Sequence, residues 1–475
     1  MKKIIPILYF SLILFSVSCA VNPVTGKREL SLVSEEGEIS LGKETDAQIR
    51  EQYGIYDDPA LLTYMQGVGQ TMTLHTHRPR LTYHFAVLDT PVVNAFAVPG
   101  GYIYITRGIL ALMSSEAELA VVLGHELGHV NARHSVAKLS QLILVQVGLA
   151  VGGAISETFA KITGVASLGI QLLFLKFSRD DEREADALGV EYSRKGGYNP
   201  GEMVSFFASL EGLGDLSEGH SLPGFLSTHP LTAERIQNTK AMIAESDQQL
   251  KTEQNAYFGA IQNMVYGEDP RQGYVEKNAF YHPQLRFSFS IPQEWNVQNT
   301  PSKVALASKD GLAAVVLQAE KSSEDLQDYA SKKASKIEGG QLLNEKSFKI
   351  NGLASHHQVY DVSQQEEEDL RMRLSFIGKN GFIYTFIALS TRSDFDKYDR
   401  QFQSVVGSFN ELRDTRYLNR KPKRIHLVKA NGRENLQEMF RKAGMAEDLW
   451  PRFAIMNGLE LNQVPKSGQP IKIVR

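Results

Sequence analysis

The sequence predicts an α+β fold in which a mainly helical domain with a small sheet is followed by an α+β domain and a small terminal domain. Three observations support this prediction. Apolar residues recur at helical spacing over much of residues 34–245, and within that range only residues 81–106 have the composition of strands. After about residue 270, strand-like segments dominate. Residues 425–475 have the pattern strand, helix, helix, strand.

These changes in pattern set the expected domain boundaries. The chain has 475 residues, which is long enough for several domains. A basic stretch, RDTRYLNRKPKR, separates the last two domains. We predict an export signal at residues 1–19 and three domains at residues 20–265, 275–415 and 425–475.

Local patterns place the elements of the first domain. A helix is expected from about Ser34, and a second over residues 57–76, where Leu61, Met65 and Val68 share one side. Two strands, LTYHFAVLD and GYIYIT, are separated by the turn VPGG. Further helices are expected within residues 107–137, 181–195 and 200–212.

The two later domains are also predicted from local patterns. Segments such as LRFSFSIPQEW and LRMRLSFIGKNGFIYTFIALS form the strands of the second domain, with Asn380-Gly381 as a hairpin turn and a helix over residues 395–409 at its end. In the third domain, RIHLVKA and PIKIV are the strands. The helices between them are ENLQEMFRKAG and DLWPRFAIMNG.

Residues 139–177 are unusually apolar. No charged residue occurs from Leu139 to Ser156 or from Ile162 to Leu175. Two membrane-spanning helices are one interpretation. The Gln, Ser and Gly residues in both runs, and their limited length, favour buried or partly exposed helices packed over the functional site described next.

The N-terminus, MKKIIPILYFSLILFSVSCA, has the basic start and short apolar run of an export signal. Cys19 directly after this run resembles the lipidation site of a bacterial lipoprotein, although Ser16 stands where an aliphatic residue is usual. An ordinary signal peptide with an incidental cysteine is the alternative. We expect an exported, periplasmic protein anchored by a lipid on Cys19, at the outer membrane.

Composition excludes some kinds of site. Cys19 is the only cysteine, so neither an intramolecular disulfide nor a cysteine-based zinc site can form. The net charge of −3 gives no reason to expect a nucleic-acid partner.

The stretch GHELGHV is the main candidate for chemistry. His125 and His129 are four residues apart, so on an α-helix they share one face and can bind a single metal ion. Glu126 lies beside that face, where it can act as general base on a metal-activated water. The apolar neighbours Leu123 and Leu127 indicate a buried helix, whose histidines need partners. The alternative is a helix with two surface histidines.

A catalytic zinc site has a third protein ligand and leaves its fourth position to water. The stretch SRDDEREAD offers Glu182 and Asp186, again four residues apart on a predicted helix. We expect Glu182 to bind the metal and Asp186 to accept a proton from the non-ligating nitrogen of a histidine. Glu184 competes as a ligand but projects to another side of the helix. The alternative is a solvated acidic helix start.

The stretches HELGHVNARH, SRDDEREAD and STHPLTAERI together resemble the M48 family of zinc metalloproteases, over about residues 20–245. NPVTGKRELSLVS and NAFAVPGGYIYITRGIL are similar to its exported, lipoprotein-like members. The resemblance implies a zincin domain of gluzincin type and one Zn²⁺ per chain. It assigns His125, His129 and Glu182 to the metal, Glu126 as general base and Asp186 as a supporting residue.

The resemblance also gives His229 a role. A histidine before proline in a loop is more often structural. In the family the equivalent histidine approaches the zinc, either as a fourth ligand that silences the enzyme or as a transition-state stabiliser. We expect one of these roles for His229, assisted by Arg235. His134, nine residues after His125 and about 180° around a continuous helix, is not expected to be a ligand.

Other segments have less specific interpretations. NAFAVPGGYIYI either offers an edge strand to which a peptide substrate adds or forms an ordinary core strand. Residues 275–415 resemble PsbP/Mog1-like α+β domains. Residues 425–475 resemble LysM-type modules, which implies contact with peptidoglycan, and a general interaction role is the alternative.

The expected function is that of a zinc-dependent endopeptidase of the bacterial cell envelope that cleaves misfolded or unassembled envelope proteins. Its expected partners are polypeptide substrates, the membrane through the lipid on Cys19, and peptidoglycan. One alternative is an autoinhibited or non-proteolytic envelope chaperone or scaffold. Another is a cell-wall-binding protein in which the metal domain is only a support. The intact Glu126 favours the enzyme.

Overall fold

The computed structural model describes residues 19–149, 176–216, 224–363 and 368–475. The predicted export signal before Cys19, and most of the apolar residues 139–177, lie outside these ranges. Within the described ranges, no helix is long and apolar enough to cross a membrane.

The first region, residues 19–265, is mainly helical. Its strands are β1 (Cys19–Val21), β2 (Arg28–Leu30), β3 (His84–Leu88), β4 (Ala95–Val98) and β5 (Tyr102–Thr106). Its helices are α1 (Glu35–Tyr53), α2 (Pro59–Thr73), α3 (Arg107–Leu112), α4 (Glu116–Asn131), α5 (His134–Leu149), α6 (Arg179–Lys195), α7 (Glu202–Asp215), α8 (Gly224–Thr228), α9 (Ala233–Met242) and α10 (Gln254–Ile261).

Side-chain caps fix where several of these helices begin. The side chains of Ser34, Asp58 and Ser115 accept hydrogen bonds from the first turns of α1, α2 and α4. Ser178 and Asp181 form a reciprocal capping box at the start of α6. The predicted helices within residues 34–212 are therefore present, with starts set by residues that can be read from the sequence.

A three-stranded sheet has the order β3-β5-β4, in which β3 runs parallel and β4 antiparallel to the central β5. Among the described residues, β4 therefore pairs on one side only and is an edge strand. Helix α4 contacts β4, and every residue of α4 from Ala117 to Asn131 is buried. A helix buried on all sides forms the centre of the region, which agrees with its apolar sequence.

The second region is an antiparallel sheet domain. Its strands are β6 (Tyr274–Glu276), β7 (Ala279–His282), β8 (Phe287–Ser290), β9 (Asn296–Asn299), β10 (Lys303–Ala307), β11 (Ala313–Lys321), β12 (Gly340–Ile350), β13 (Leu353–Val362), β14 (Leu370–Lys379), β15 (Phe382–Thr391) and β16 (Asn410–Glu411). Its helices are α11 (Leu326–Ala334), α12 (Phe395–Gly407) and the short α13 (Thr415–Leu418).

Seven of these strands form one sheet, in the order β12-β13-β14-β15-β11-β10-β9. One apolar cluster joins a face of this sheet to α12 and to β7 and β8, and a second cluster joins the sheet to α11. The predicted hairpin at Asn380-Gly381 is confirmed, because both residues have positive φ and connect the paired strands β14 and β15.

The third region has the predicted order of strand, helix, helix and strand. Its elements are β17 (Ile425–Lys429), α14 (Leu436–Lys442), α15 (Trp450–Met456) and β18 (Pro470–Val474), with β17 antiparallel to β18. Its buried side chains, including Trp450 and Ile473, belong to the same apolar cluster as those of the first region. The two regions thus share one core although the second region lies between them in sequence.

A buried lysine strengthens this connection. Lys472 in β18 is fully buried, and its Nζ donates hydrogen bonds to the carbonyls of Ala111, Leu112 and Met113 at 3.2, 3.1 and 2.8 Å. These carbonyls end helix α3, where no further helical N–H is available to them. The last strand of the chain therefore caps a helix that leads directly into α4.

Candidate metal centre

Glycines allow α4 and α6 to approach closely. A Cβ on Gly128 would lie 3.1 Å from Ala185 Cα, and one on Gly124 would lie 3.0 Å from the Gly189 carbonyl oxygen. A Cβ on Gly189 would lie 3.1 Å from the backbone nitrogen of His125. Because these positions carry no side chain, the backbone of α6 lies against the face of α4 that carries the histidines.

Four buried side chains converge at this crossing: His125 and His129 from α4, Glu182 from α6, and His229 after α8. Their ligand atoms all lie within 4.8 Å of one another. The Nε2 atoms of His125 and His129 are 3.1 Å apart, and His229 Nδ1 is 2.8 Å from Glu182 Oε1. His129 Nε2 is 3.5 Å from the same Glu182 oxygen. The three side chains predicted as zinc ligands are thus brought together, and His229 joins them.

Asp186 and Arg235 support this cluster from one side. Asp186 Oδ1 lies 3.0 Å from His125 Nδ1, the ring nitrogen that faces away from His129. Arg235 donates two hydrogen bonds of 2.7 Å to the Asp186 carboxylate and lies 2.8 Å from Glu182 Oε2. The Arg235 side chain is itself buried and lies over the Phe207 ring. One cation therefore holds the carboxylates of both Glu182 and Asp186.

The turn STHPLT places His229 and Arg235 together. The His229 backbone nitrogen donates to the Phe225 carbonyl, which continues the pattern of α8 by one residue. Thr232 then caps α9 by accepting a hydrogen bond from the Arg235 backbone nitrogen. Since only a short turn separates the end of α8 from the start of α9, both side chains reach the same cluster.

His134 supports the cluster from the other side. Its Nδ1 lies 2.9 Å from His129 Nδ1, and its Nε2 lies 3.1 Å from Glu184 Oε2. His134 is not among the clustered ligand atoms, but it does not lie on the far side of a continuous helix as its spacing from His125 suggested. Helix α4 ends at Asn131, Arg133 adopts a left-handed backbone with φ 58°, and the chain turns back so that His134 meets His129.

Glu126 lies at the edge of the cluster that faces β4. Its Oε1 is 3.8 Å from His229 Nε2, and in the part of the chain that the structure describes neither buried atom has a hydrogen-bond partner. The backbone of Ala97 in β4 interacts with the Glu126 carboxyl. Two unpartnered polar atoms next to an edge strand mark a place where a polar ligand can bind.

Burial and charge set the protonation of these groups. Burial raises the pKa of Glu126 and holds the pKa of His129 well below its usual value, so that His129 is neutral. Burial alone would raise the pKa of Glu182, but His229 and the other histidines outweigh it and the pKa falls well below the usual range. For Asp186 the hydrogen bonds from Arg235 and His125 likewise outweigh burial and lower the pKa.

Two aromatic rings enclose the histidines. Phe177 stacks on His129 with the ring centroids 4.1 Å apart, and Phe225 stacks on His229 at 4.8 Å. Both rings limit how far the imidazoles can rotate and exclude water from that side of the cluster.

The donor set fits a zinc ion. Two imidazole nitrogens and one carboxylate are a common protein ligand set for catalytic zinc. Neutral His129 has a free lone pair, and ionised Glu182 supplies negative charge. The outward nitrogens of His125 and His129 each face a polar group, Asp186 Oδ1 at 3.0 Å and His134 Nδ1 at 2.9 Å, as metal-binding histidines usually do.

Comparison with known proteins agrees with this geometry. Residues 59–243 match the family model described as peptidase family M48. These residues are therefore similar to M48 peptidases. The matched segment contains all four members of the buried cluster, and the similarity to this family supports a bound metal, generally zinc.

Named proteins that this chain resembles are proteases. The chain is 28% identical over 235 residues to the beta-barrel assembly-enhancing protease of Escherichia coli, which covers 48% of each protein. It is 30% identical over 186 residues to the mitochondrial metalloendopeptidase OMA1 of Arabidopsis thaliana, covering 39% of this chain and 37% of that one. The chain therefore spans about half the length of such relatives or less. Together with the family match, these relatives support a metalloprotease.

Solved structures give little information on the second region. Cyanobacterial PsbP from Synechocystis sp. PCC 6803 matches with a TM-score of 0.24 and 14% identity, covering 28% of this chain and 91% of that one. This score is too low to assign the fold of residues 275–415. The PsbP/Mog1-like and LysM-like assignments stay predictions.

Proposed function

We propose that this chain is a zinc-dependent endopeptidase of the bacterial cell envelope that cleaves misfolded or unassembled envelope proteins. The observation that carries the proposal is the buried cluster of His125, His129, Glu182 and His229, with Glu126 beside it. The names of the relatives, which include a beta-barrel assembly-enhancing protease, support the envelope location and the class of substrate.

His125, His129 and Glu182 are the proposed ligands. Zinc bound by them would polarise the scissile carbonyl and lower the pKa of the attacking water. Asp186 holds the proton on His125 Nδ1, which leaves His125 Nε2 free to bind the metal. Arg235 keeps Asp186 and Glu182 ionised and fixes their orientation.

Glu126 is the proposed general base. It takes a proton from the attacking water and delivers it to the leaving amine, so one carboxylate serves both proton transfers. Burial raises its pKa, which brings its proton affinity closer to that needed near neutral pH. Its unpartnered Oε1 is free to receive this proton.

The edge strand β4 is the proposed docking strand for the substrate. An extended peptide can add to its free side by backbone hydrogen bonds. Because the backbone of Ala97 in β4 interacts with the Glu126 carboxyl, a peptide on this edge passes the general base. Binding of this kind recognises the backbone of the substrate rather than its side chains. It therefore suits unassembled proteins with exposed strands.

His229 is the proposed gate. If it acts as a fourth ligand, it closes the position that water needs, and the resting enzyme is autoinhibited. If it acts from Nε2, it stabilises the transition state. Its position within 4.8 Å of all the other ligand atoms supports the fourth-ligand role. On this account His229→Ala raises activity, whereas a stabilising role predicts that activity falls.

The location of the protein rests on its N-terminus. We propose export to the periplasm and a lipid on Cys19, which lies in the β1–β2 hairpin. Peptidoglycan contact through residues 425–475 remains part of the proposal. Metabolic labelling with a fatty acid, compared with Cys19→Ser, tests the lipid.

The decisive experiment compares the wild type with Glu126→Gln, which keeps the size of the side chain and removes its basicity. We expect both proteins to bind one zinc ion by elemental analysis and only the wild type or His229→Ala to cleave an unfolded protein such as casein. Chelator should abolish the activity and added zinc should restore it. Full activity of pure Glu126→Gln would refute the protease proposal.

A further inference from the structure

The two histidines of α4 are supported in different ways. His125 contacts Asp186 directly, and Asp186 is buried and held by Arg235. His129 instead contacts a third histidine, His134, through two facing Nδ1 atoms 2.9 Å apart. Among the described residues, no carboxylate or carbonyl oxygen contacts His129 Nδ1. The orientation of this ring therefore depends on His134.

Proton counting fixes the direction of this contact. Two facing ring nitrogens form a hydrogen bond only if one carries a proton and the other a lone pair. If His129 binds the metal through Nε2, its neutral ring carries the proton on Nδ1 and donates it to His134 Nδ1. His134 then carries its own proton on Nε2, which faces Glu184 Oε2 at 3.1 Å.

Glu184 completes the chain at the protein surface. Its side chain is 26% exposed, whereas His134 is only 5% exposed. Asp181, also in the first turns of α6, approaches His134 Nε2 at 3.7 Å. Two acidic groups thus favour the proton on His134 Nε2, and this leaves Nδ1 bare toward His129.

We propose that His134 and Glu184 are positioning residues that hold His129 in the tautomer and orientation needed to bind the metal. The inference rests on the proposed zinc site but extends it: a metal ligand is oriented by a histidine–carboxylate pair instead of by a carboxylate alone. The turn at Arg133 is what makes this possible, because it returns the chain to His129 directly after α4.

The test is the zinc affinity of full-length protein in the Glu126→Gln background, measured by competition with a chromogenic chelator. Loss of a group that orients a metal-binding histidine usually weakens metal binding by about 10–100-fold. We expect this loss for His134→Ala. His134→Asn should restore most of the affinity, because its Oδ1 takes the place of His134 Nδ1 and can accept the His129 proton.

Glu184 gives a second, milder variant pair. Glu184→Gln keeps an acceptor oxygen and should bind zinc nearly as the wild type does, whereas Glu184→Ala should bind it more weakly. Glu191→Ala, on the exposed side of the same helix, is the matched control and should leave the affinity unchanged. Thermal unfolding of the metal-free proteins shows whether any variant has lost its fold.

A spectroscopic measurement does not depend on any variant. In the zinc-loaded protein, ¹⁵N NMR of the histidine rings should show His134 with its proton on Nε2 and a bare Nδ1. The opposite tautomer, or zinc affinity of a folded His134→Ala within about 2-fold of the parent against the expected loss, would overturn the positioning role. If the parent protein binds no zinc at all, both this inference and the proposed function fail; normal zinc binding with an inert His134 refutes the inference alone.

Discussion

Replacing Arg235 by Met tests whether one buried cation holds the metal site together. Met keeps an unbranched apolar side chain and lacks the charged guanidinium. The change removes two hydrogen bonds of 2.7 Å to Asp186 and an ion pair of 2.8 Å to Glu182. It leaves both carboxylates buried, with histidines as their remaining partners.

The size of the effect follows from the burial of the pair. Removing one partner of a buried ion pair lowers the free energy of unfolding by about 3–5 kcal/mol, because the other charge stays buried. We expect this loss in the metal-free protein. In the zinc-loaded protein the ion gives Glu182 a new positive partner, so only Asp186 lacks one and the loss should be about half, near 2 kcal/mol.

A thermodynamic cycle turns this difference into a zinc affinity. If the metal-free state loses about 2 kcal/mol more than the loaded state, zinc must bind about 30-fold more tightly to Arg235→Met. This is the opposite of what a direct supporting role in metal binding predicts. Arg235 and zinc neutralise the same carboxylate, that of Glu182. The presence of either cation therefore reduces the stabilisation that the other provides.

The assay is urea unfolding with and without zinc, in a Glu126→Gln, Trp295→Phe background. The chain has two tryptophans, and Trp450 lies buried in the core that the first and third regions share, so its fluorescence then reports unfolding of that core alone. Arg194→Met is the control. Arg194 pairs with Asp247 near the other end of α6. Its replacement should lower the free energy of unfolding by the same amount with and without zinc.

Equal losses with and without zinc would refute the reasoning, since they would mean that Arg235 acts only in packing. A loss below about 1 kcal/mol in the metal-free protein would also refute it, because that is the value of an exposed pair.

Three further predictions concern other parts of the molecule. Gly128→Val should push α6 away from α4, because a Cβ there already meets Ala185 at 3.1 Å. Zinc affinity should then fall. Gly67→Ala, which has open space around it, is the control and should leave the affinity unchanged. Lys472→Met should lower the free energy of unfolding of the shared core by about 2–4 kcal/mol, since three carbonyls lose their donor, and unchanged urea unfolding would contradict this. Burial lowers the pKa of His282 from 6.5 to about 4, so stability should be complete above pH 6.5 and fall by up to about 3 kcal/mol between pH 6.5 and 4. In His282→Gln, urea unfolding should lack this acid-dependent loss.

The parts of the site that could be predicted are those set within one helix. Spacing of four residues puts His125 next to His129 and Glu182 next to Asp186 whatever surrounds the helices. The elements at Ser34 and at Asn380-Gly381 were predictable for the same reason, because capping and turn residues act locally.

His134 could not be placed from the sequence. Its position depends on a left-handed residue directly after α4, and that residue is Arg133, a type that seldom adopts this conformation. The Asn131 side chain gives a local reason for the helix end: its amide donates back to the Leu127 carbonyl and its oxygen accepts from the backbone of Arg78. The hydrogen bond to Arg78 joins distant parts of the chain, so no local sequence pattern predicts it.

The core that residues 425–475 share with the first region could not be predicted from the sequence either. A strand–helix–helix–strand pattern after a basic linker predicts a separate module, and nothing in it shows where Lys472 points. The Nζ of this lysine is buried among carbonyls at the end of α3, so the strand that carries it cannot be removed without exposing them.

The balance of charge in the cluster explains why it suits a divalent cation. Three carboxylates, Glu126, Glu182 and Asp186, lie buried together, and Arg235 is the one arginine or lysine that the described structure places among them. With all three ionised, two negative charges remain, and burying them uncompensated is costly. Without metal, His229 reduces this cost, because Glu182 and Glu126 outweigh burial and raise its pKa. A divalent cation would cancel both charges at once, which a neutral ligand cannot do.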